Sequence, residues 1–193
     1  MRRLLLVRHA ATAATRAGAF PGDEDQLDDR ALAAAAALAP ALPSRCEAIS
    51  SPADRCRRTA AAAGLDAATD PALAECDFGV WARRTLAEIA AEDPEGVSRW
   101  ILDPHAAPHG GEPLASFAGR VGRWLDRQAR RDGPAVAITH GGVVKAAVVH
   151  ALGAPLEAFW RIDVSPLAIT ELRAHDGRWT VTSTNRPAGG PAS

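Results

Sequence analysis

Leu4 to Val7 are four apolar residues in a row with no polar alternation. That is the pattern of a short strand covered on both faces, and such strands belong to parallel sheets. Ala48-Ile49-Ser50 and Ala135 to Thr139 read in the same way. Helical segments separate them. Asp28 or Asp29 can cap the alanine-rich run Arg30 to Ala39, which Pro40 stops. Ser51 as N-cap and Pro52 as the first helical residue predict a second helix that ends at Gly64. Between Pro113 and Arg131 the residues Phe117, Val121, Trp124 and Leu125 recur on one helical stripe until Gly133-Pro134 breaks it. Gly142 to Leu152 predicts another helix. Two late runs, Ala168 to Ala174 and Trp179 to Thr184, flank Asp176-Gly177, a strong hairpin signal.

From Asp66 to Gly111 the periodicity weakens to a turn-rich stretch and two short helical candidates, Thr85 to Glu92 and Glu95 to Leu102. This region is expected as a small cap inserted over one end of the sheet. The whole pattern predicts a three-layer α/β/α sandwich with a mainly parallel central sheet, formed as one domain over residues 1–186. Residues 187–193 are Pro, Gly, Ala and Ser and are expected as a flexible tail.

Composition narrows the function. The 22 basic and 23 acidic residues leave a formal charge of −1, so no nucleic-acid partner is expected. The longest uncharged stretch, Ala31 to Ser44, has 14 residues and two prolines, whereas a membrane span needs about 20 apolar residues. No membrane association is expected. Arg8 ends the first apolar run too early for an export segment, so the expected compartment is the cytoplasm. Cys46, Cys56 and Cys76 lack C-x-x-C spacing and read as free thiols. Lys145 is the only lysine among the 22 basic residues. Basic chemistry therefore rests on arginine, whose planar fork grips phosphate or carboxylate with two bonds.

In open α/β sheets ligands bind at the carboxyl ends of the strands. The first strand runs into Arg8-His9, the strand ending at Thr139 runs into His140-Gly141-Gly142, and the strand ending at Ser50 feeds a helix that carries Arg55, Arg57 and Arg58. Two histidines and an arginine pair thus converge on one edge. Arg8 and Arg55 supply charge-assisted donors, two helix N-termini aim free N–H groups at an anion, and Gly141 lets the backbone come close. An imidazole among such cations is pushed toward its neutral form, so His9 can attack phosphorus.

These pieces resemble the histidine phosphatase, or phosphoglycerate mutase-like, superfamily. The resemblance is carried, in order, by Leu5-Leu6-Val7-Arg8-His9-Ala10 with Thr12, Ser50-Ser51-Pro52-Ala53-Asp54-Arg55 with Thr59-Ala60, Glu75-Cys76-Asp77-Phe78-Gly79-Val80-Trp81, Gly110-Gly111-Glu112, and Thr139-His140-Gly141-Gly142-Val143. The segment Glu75 to Trp81 is most similar to the α-ribazole phosphatase branch. The resemblance implies a phosphate-binding quartet of Arg8, His9, Arg55 and His140, with His9 as nucleophile, a protonated His140 and Glu75 as proton donor. It also implies a metal-free, cofactor-free hydrolysis of a small phosphorylated metabolite. Three positions depart from the family pattern: Ala10 stands where glycine is usual, Thr15 where several members have an asparagine phosphate donor, and Pro113 where serine is common.

Other residues carry weaker readings. Arg57 and Arg58 point in other directions around their helix than Arg55 and suit salt bridging or solvent. His105 and His109 are four apart, but Pro104 and Pro108 argue against a helical metal pair. Trp81 and Trp100 either wall a substrate pocket or pack the cap, and Trp81 is carried as the substrate-side candidate. Asp77 and Glu112 rival Glu75 as the acid. Against the phosphatase stand a mutase, which must shield its phosphoenzyme from water, and a non-catalytic module that binds phosphorylated ligands. The cap looks short for a mutase. A homodimer is left open.

Overall fold

Leu4 to Val7 are all fully buried because their strand, β1 (Arg2–Arg8), lies inside a six-stranded sheet. A computed structural model describes residues 1–22 and 24–188. The sheet order is β3-β2-β4-β1-β5-β6, with β2 at Glu47–Ser50, β3 at Ala68–Thr69, β4 at Gly133–Thr139, β5 at Ile169–His175 and β6 at Arg178–Arg186. β1 to β4 pair in parallel, whereas β5 and β6 are antiparallel.

Alternation along β1 sends its side chains into two cores. Leu4 and Leu6 pack with Trp124 and Leu125 of α6 (Leu114–Ala129) and Val143 and Ala147 of α7 (Gly141–Leu152). Leu5 and Val7 pack with Leu38, which follows α2 (Asp29–Ala36), and with Cys56 and Ala60 of α3 (Asp54–Ala62). Helices therefore cover both faces, giving the three layers.

The cap contains α4 (Leu86–Glu92) and α5 (Pro94–Leu102). Thr85 and Glu88 form a reciprocal capping box at the start of α4, and Trp81, Ile89, Val97 and Trp100 form the cap's own small core. The expected stretch 66–111 does not make this core alone. Phe20 packs into it, and Ala19 bridges to Thr85, so a segment before the second strand also belongs to the cap.

Several boundaries differ from expectation. α3 starts at Asp54, after Ala53, rather than at Pro52. Ser51 does not cap it, because the Ser51 hydroxyl is hydrogen-bonded to His140 Nε2 at 2.8 Å. α2 ends at Ala36, and Pro40 sits inside a separate single turn, Ala39–Ala41. The two-residue strand β3 and the short helix α1 (Ala13–Ala17), capped by the Thr12 hydroxyl, were too short to produce a periodic signal. Asp176 and Gly177 both have positive φ, 49° and 74°, as a tight two-residue hairpin requires. From residue 189 onward the expected tail lies outside the described residues. Among the described residues no helix is long and apolar enough to cross a membrane.

Candidate active site

The parallel register sets Arg8 opposite Thr139, so the two strands end side by side and pass directly into His9 and His140. His9 is 4% exposed, and its backbone N–H donates to the Thr139 carbonyl at 2.8 Å. Its Nδ1 lies 2.8 Å from the Ala10 carbonyl, which can only accept, so the ring proton sits on Nδ1 and Nε2 carries the lone pair. Burial, with Arg55 and Arg8 adding to it, pulls the His9 pKa down to about 3 against the pull of the Ala10 bond. Ala10 does not carry a positive φ. The strain that the missing glycine could have caused is absent, and Ala10 is instead buried, its N–H donating to the Thr59 hydroxyl at 3.1 Å.

The His140 ring sits 5.2 Å from that of His9, edge to face. Its Nε2 is bonded to Ser51 Oγ, and its Nδ1 lies 3.4 Å from an Arg55 terminal nitrogen. Full burial, together with His9, Arg55 and Arg8, holds its pKa well below the ordinary histidine value. The unliganded imidazole is therefore neutral, and the protonated His140 expected during phosphoryl transfer needs an arriving anion to offset the cost of charging it. Arg55 is 5% exposed and donates to the Gly22 carbonyl at 3.2 Å. Arg8 donates to the Val164 carbonyl at 2.6 Å. The polar contacts of both guanidinium groups are neutral, and each leaves its buried Nε without a partner. Cations withdrawn from solvent without an ion-pair partner favour an incoming anion.

Glu75 faces this pair from the cap side. Its carboxylate accepts from the Cys76 N–H at 3.0 Å and the Gly142 N–H at 3.3 Å. A Cβ at Gly142 would sit 2.3 Å from Glu75 Oε1, so only glycine lets the carboxyl rest on the start of α7. Burial raises the Glu75 pKa, and the two N–H groups and the arginines do not offset it. Its rivals are occupied elsewhere. Glu112 forms a two-bond pair with Arg120, and the exposed Asp77 accepts from the Gly79 N–H at 2.9 Å.

The sequence profile of the histidine phosphatase superfamily, branch 1, matches residues 4–187. The chain belongs to this superfamily. It is 32% identical to a bifunctional protein of Mycobacterium tuberculosis over 95% of this chain and 54% of that protein, so it spans about half the length of that relative. It is also 32% identical to a glucosyl-3-phosphoglycerate phosphatase of Mycolicibacterium vanbaalenii, over 81% of this chain and 77% of that one. The crystal structure of an alpha-ribazole phosphatase from Shigella flexneri superimposes with a TM-score of 0.84 at 26% identity, covering 99% and 100% of the two chains.

In this histidine phosphatase fold, Arg8, Glu75 and Gly141 open onto a cavity of about 230 Å³ walled by Phe20, Phe78, Trp100 and Trp160, with Lys145 on its α7 side. A second, wider cavity runs past Arg55, Glu75 and His140. Two residues expected at the site have their side chains engaged elsewhere. Thr15 lies in α1 with its hydroxyl 3.0 Å from that of Thr12. Trp81 is 3% exposed and packs behind Trp100 and His109 inside the cap core. It supports the wall rather than forming it, and Trp100 takes the place expected of it. Arg57 pairs with Asp54, Arg58 reaches the Leu27 carbonyl, and His150 pairs with Asp126. His105 and His109 lie outside any helix, and among the described residues no group of three or more His, Cys, Asp or Glu could hold a metal ion. Phe20, Phe159, Trp160 and Lys145 were not singled out from sequence. For Lys145 a signal existed: the chain's one lysine stands one helical turn after Gly141.

Proposed function

We propose that the chain is a phosphoric monoester hydrolase that works through a phosphohistidine on His9. The observation that carries this reading is the free Nε2 lone pair of a neutral, buried His9 beside two guanidinium groups that form no ion pair. In the first step His9 Nε2 attacks phosphorus in line, and the phosphorus–oxygen ester bond breaks. Arg8, Arg55 and the N–H groups opening α7 hold the equatorial oxygens, which is positioning and electrostatics rather than covalent chemistry. His140 becomes a further donor once the dianion offsets the cost of its charge. Glu75, whose pKa burial raises, gives its proton to the leaving alcohol. In the second step the Glu75 carboxylate takes a proton from water, whose oxygen attacks phosphorus and releases His9. No cofactor enters this scheme, and the arginines supply the positive charge that a metal supplies elsewhere.

Two of the relatives described above are named as phosphatases, which supports hydrolysis over transfer. Their names point to chemically different substrates, so the relatives leave the alcohol open within the class of small phosphorylated metabolites. The test is incubation with p-nitrophenyl phosphate and with 3-phosphoglycerate in EDTA. Net release of inorganic phosphate, with negligible transfer between the glycerate positions, is expected. Transfer exceeding release would make the chain a mutase, and loss of activity that magnesium or zinc restores would refute the metal-free scheme.

A further inference from the structure

Lys145 sits in the wall of the 230 Å³ cavity, four residues after Gly141 on the same face of α7 and therefore one turn along from the phosphate end. Among the described residues its ammonium has no hydrogen-bond or ion-pair partner, and it sits over the Phe159 ring, 5.4 Å from Nζ to the centroid. The rest of the wall is mainly aromatic, from Phe20, Phe78, Trp100 and Trp160. The charged groups that share the cavity are Arg8, Glu75 and Asp163. Arg8 and Glu75 belong to the phosphate end. Asp163 is exposed, and its Oδ1 accepts from the Val164 N–H at 2.9 Å.

We propose that Lys145 selects substrates whose alcohol carries a carboxylate, bound over the aromatic wall with its phosphate ester at Arg8 and His9. The inference rests on the phosphatase reading of the same site and names the substrate class for it. A half-buried ammonium that makes no ion pair or hydrogen bond gains from an anion that shares its cavity. A carboxylate suits it better than a second phosphate. A phosphate dianion calls for several donors, as at Arg8 and Arg55, whereas beyond the phosphate end Lys145 is the one basic side chain lining the cavity. Burial lowers the Lys145 pKa, with Asp163 and Glu75 opposing, and a bound carboxylate would raise it again. The aromatic wall asks for an apolar body between the two anions.

The experiment compares 4-carboxybenzyl phosphate with 4-carbamoylbenzyl phosphate, which match in shape and differ in charge. The intact chain should favour the carboxylate by about tenfold in kcat/KM, the scale of one charge-assisted hydrogen bond. Lys145→Met should bring that ratio to about one, Lys145→Arg should keep most of it, and Lys145→Glu should invert it. Calorimetric binding of the corresponding non-hydrolysable phosphonates to the same proteins gives the ratio without turnover. A ratio near one in the intact chain, or one that survives Lys145→Met, overturns the proposal. Failure to hydrolyse p-nitrophenyl phosphate would instead strike the phosphatase reading, while the phosphonate ratio would still decide the role of Lys145.

Discussion

Strand β1 carries an arginine at each end, Arg2 buried and Arg8 half-buried, and the two are treated in opposite ways. Arg2 and Arg8 share the face of Leu4 and Leu6. Arg2 is 1% exposed and is answered by Glu47 at 2.6 Å, the Gln128 side chain at 2.5 Å and the Asp132 carbonyl at 3.1 Å. Arg8, at the other edge of the same sheet, has a backbone carbonyl as its polar contact and faces Gly141. At the first edge the chain completes its own ion pair and the arginine ties β1 to β2 and α6. At the second edge the counter-charge is left for a ligand to bring. Arg55, on the binding side, is as deeply buried as Arg2, so burial alone does not separate a structural arginine from a binding one; the charge of its partners does.

Substituting the two arginines separately tests the contrast. Arg8→Ala should lower kcat/KM for p-nitrophenyl phosphate by about 10³-fold or more, the usual scale for a cation on a transferring phosphoryl group. Its melting temperature should be close to that of the parent, because no native ion pair is lost. Arg2→Ala should do the reverse. It should cost about 3 kcal/mol of stability, the low end for breaking a buried pair, since Glu47 is part-exposed and keeps Arg131. Activity of the folded fraction should persist. Urea unfolding and steady-state kinetics on both variants check this, and equal losses of activity would erase the distinction between the two edges.

The acid comes next in size. Glu75→Gln should slow hydrolysis of alkyl phosphates by about 10²- to 10⁴-fold while sparing p-nitrophenyl phosphate, whose phenolate leaves without a proton. Gly142→Ala should reproduce that divergence, because the added Cβ takes the place of Glu75 Oε1. An equal loss on both substrates in a folded Glu75→Gln protein would argue against the acid role.

The strand-end chemistry was legible in the sequence because it is local. Arg8-His9 and His140-Gly141-Gly142 directly follow apolar strand runs, and Arg55 lies a few residues beyond the run that ends at Ser50, so each piece is marked by its own neighbours in the chain before parallel pairing brings the strand ends together. The wall was not legible for the opposite reason. Phe20, Phe78, Trp100 and Trp160 come from four separated segments and meet only through tertiary packing. Trp81 was misassigned because an aromatic near Glu75 in sequence need not face Glu75 in space. Ser51 was misread as a helix cap because its hydroxyl is committed across the sheet to His140. Very short elements such as β3 leave too few positions for a pattern.

The electrostatics of the two histidines set a smaller effect on stability. His9 is held down to about 3 and His140 well below 6.5, in both cases mainly by burial. Unfolded imidazoles titrate near about 6.5, so below that pH the unfolded chain binds protons that the native chain refuses. Stability is therefore full above about pH 6.5 and falls as the pH drops toward the folded values, by up to about 1.4 kcal/mol per pH unit for each ring. Glu75, with its raised pKa, acts in the opposite direction just above the ordinary carboxylate range. Urea midpoints at pH 7.5 and 5.5 should show the decline, and His9→Asn should make it shallower. Unchanged slopes would contradict the buried neutral state. Smallest of all, Thr15→Val should change kcat/KM by less than about twofold, since its hydroxyl is turned to Thr12; a large loss would place Thr15 back in the site.

Phosphorylation of His9 can be seen by quenching the enzyme with radiolabelled substrate in alkali and mapping the label. A base-stable, acid-labile phosphoryl group is expected on the peptide that contains His9, present in the intact chain and absent from His9→Ala. Label on another residue, equal label in His9→Ala, or full turnover by His9→Ala would contradict it.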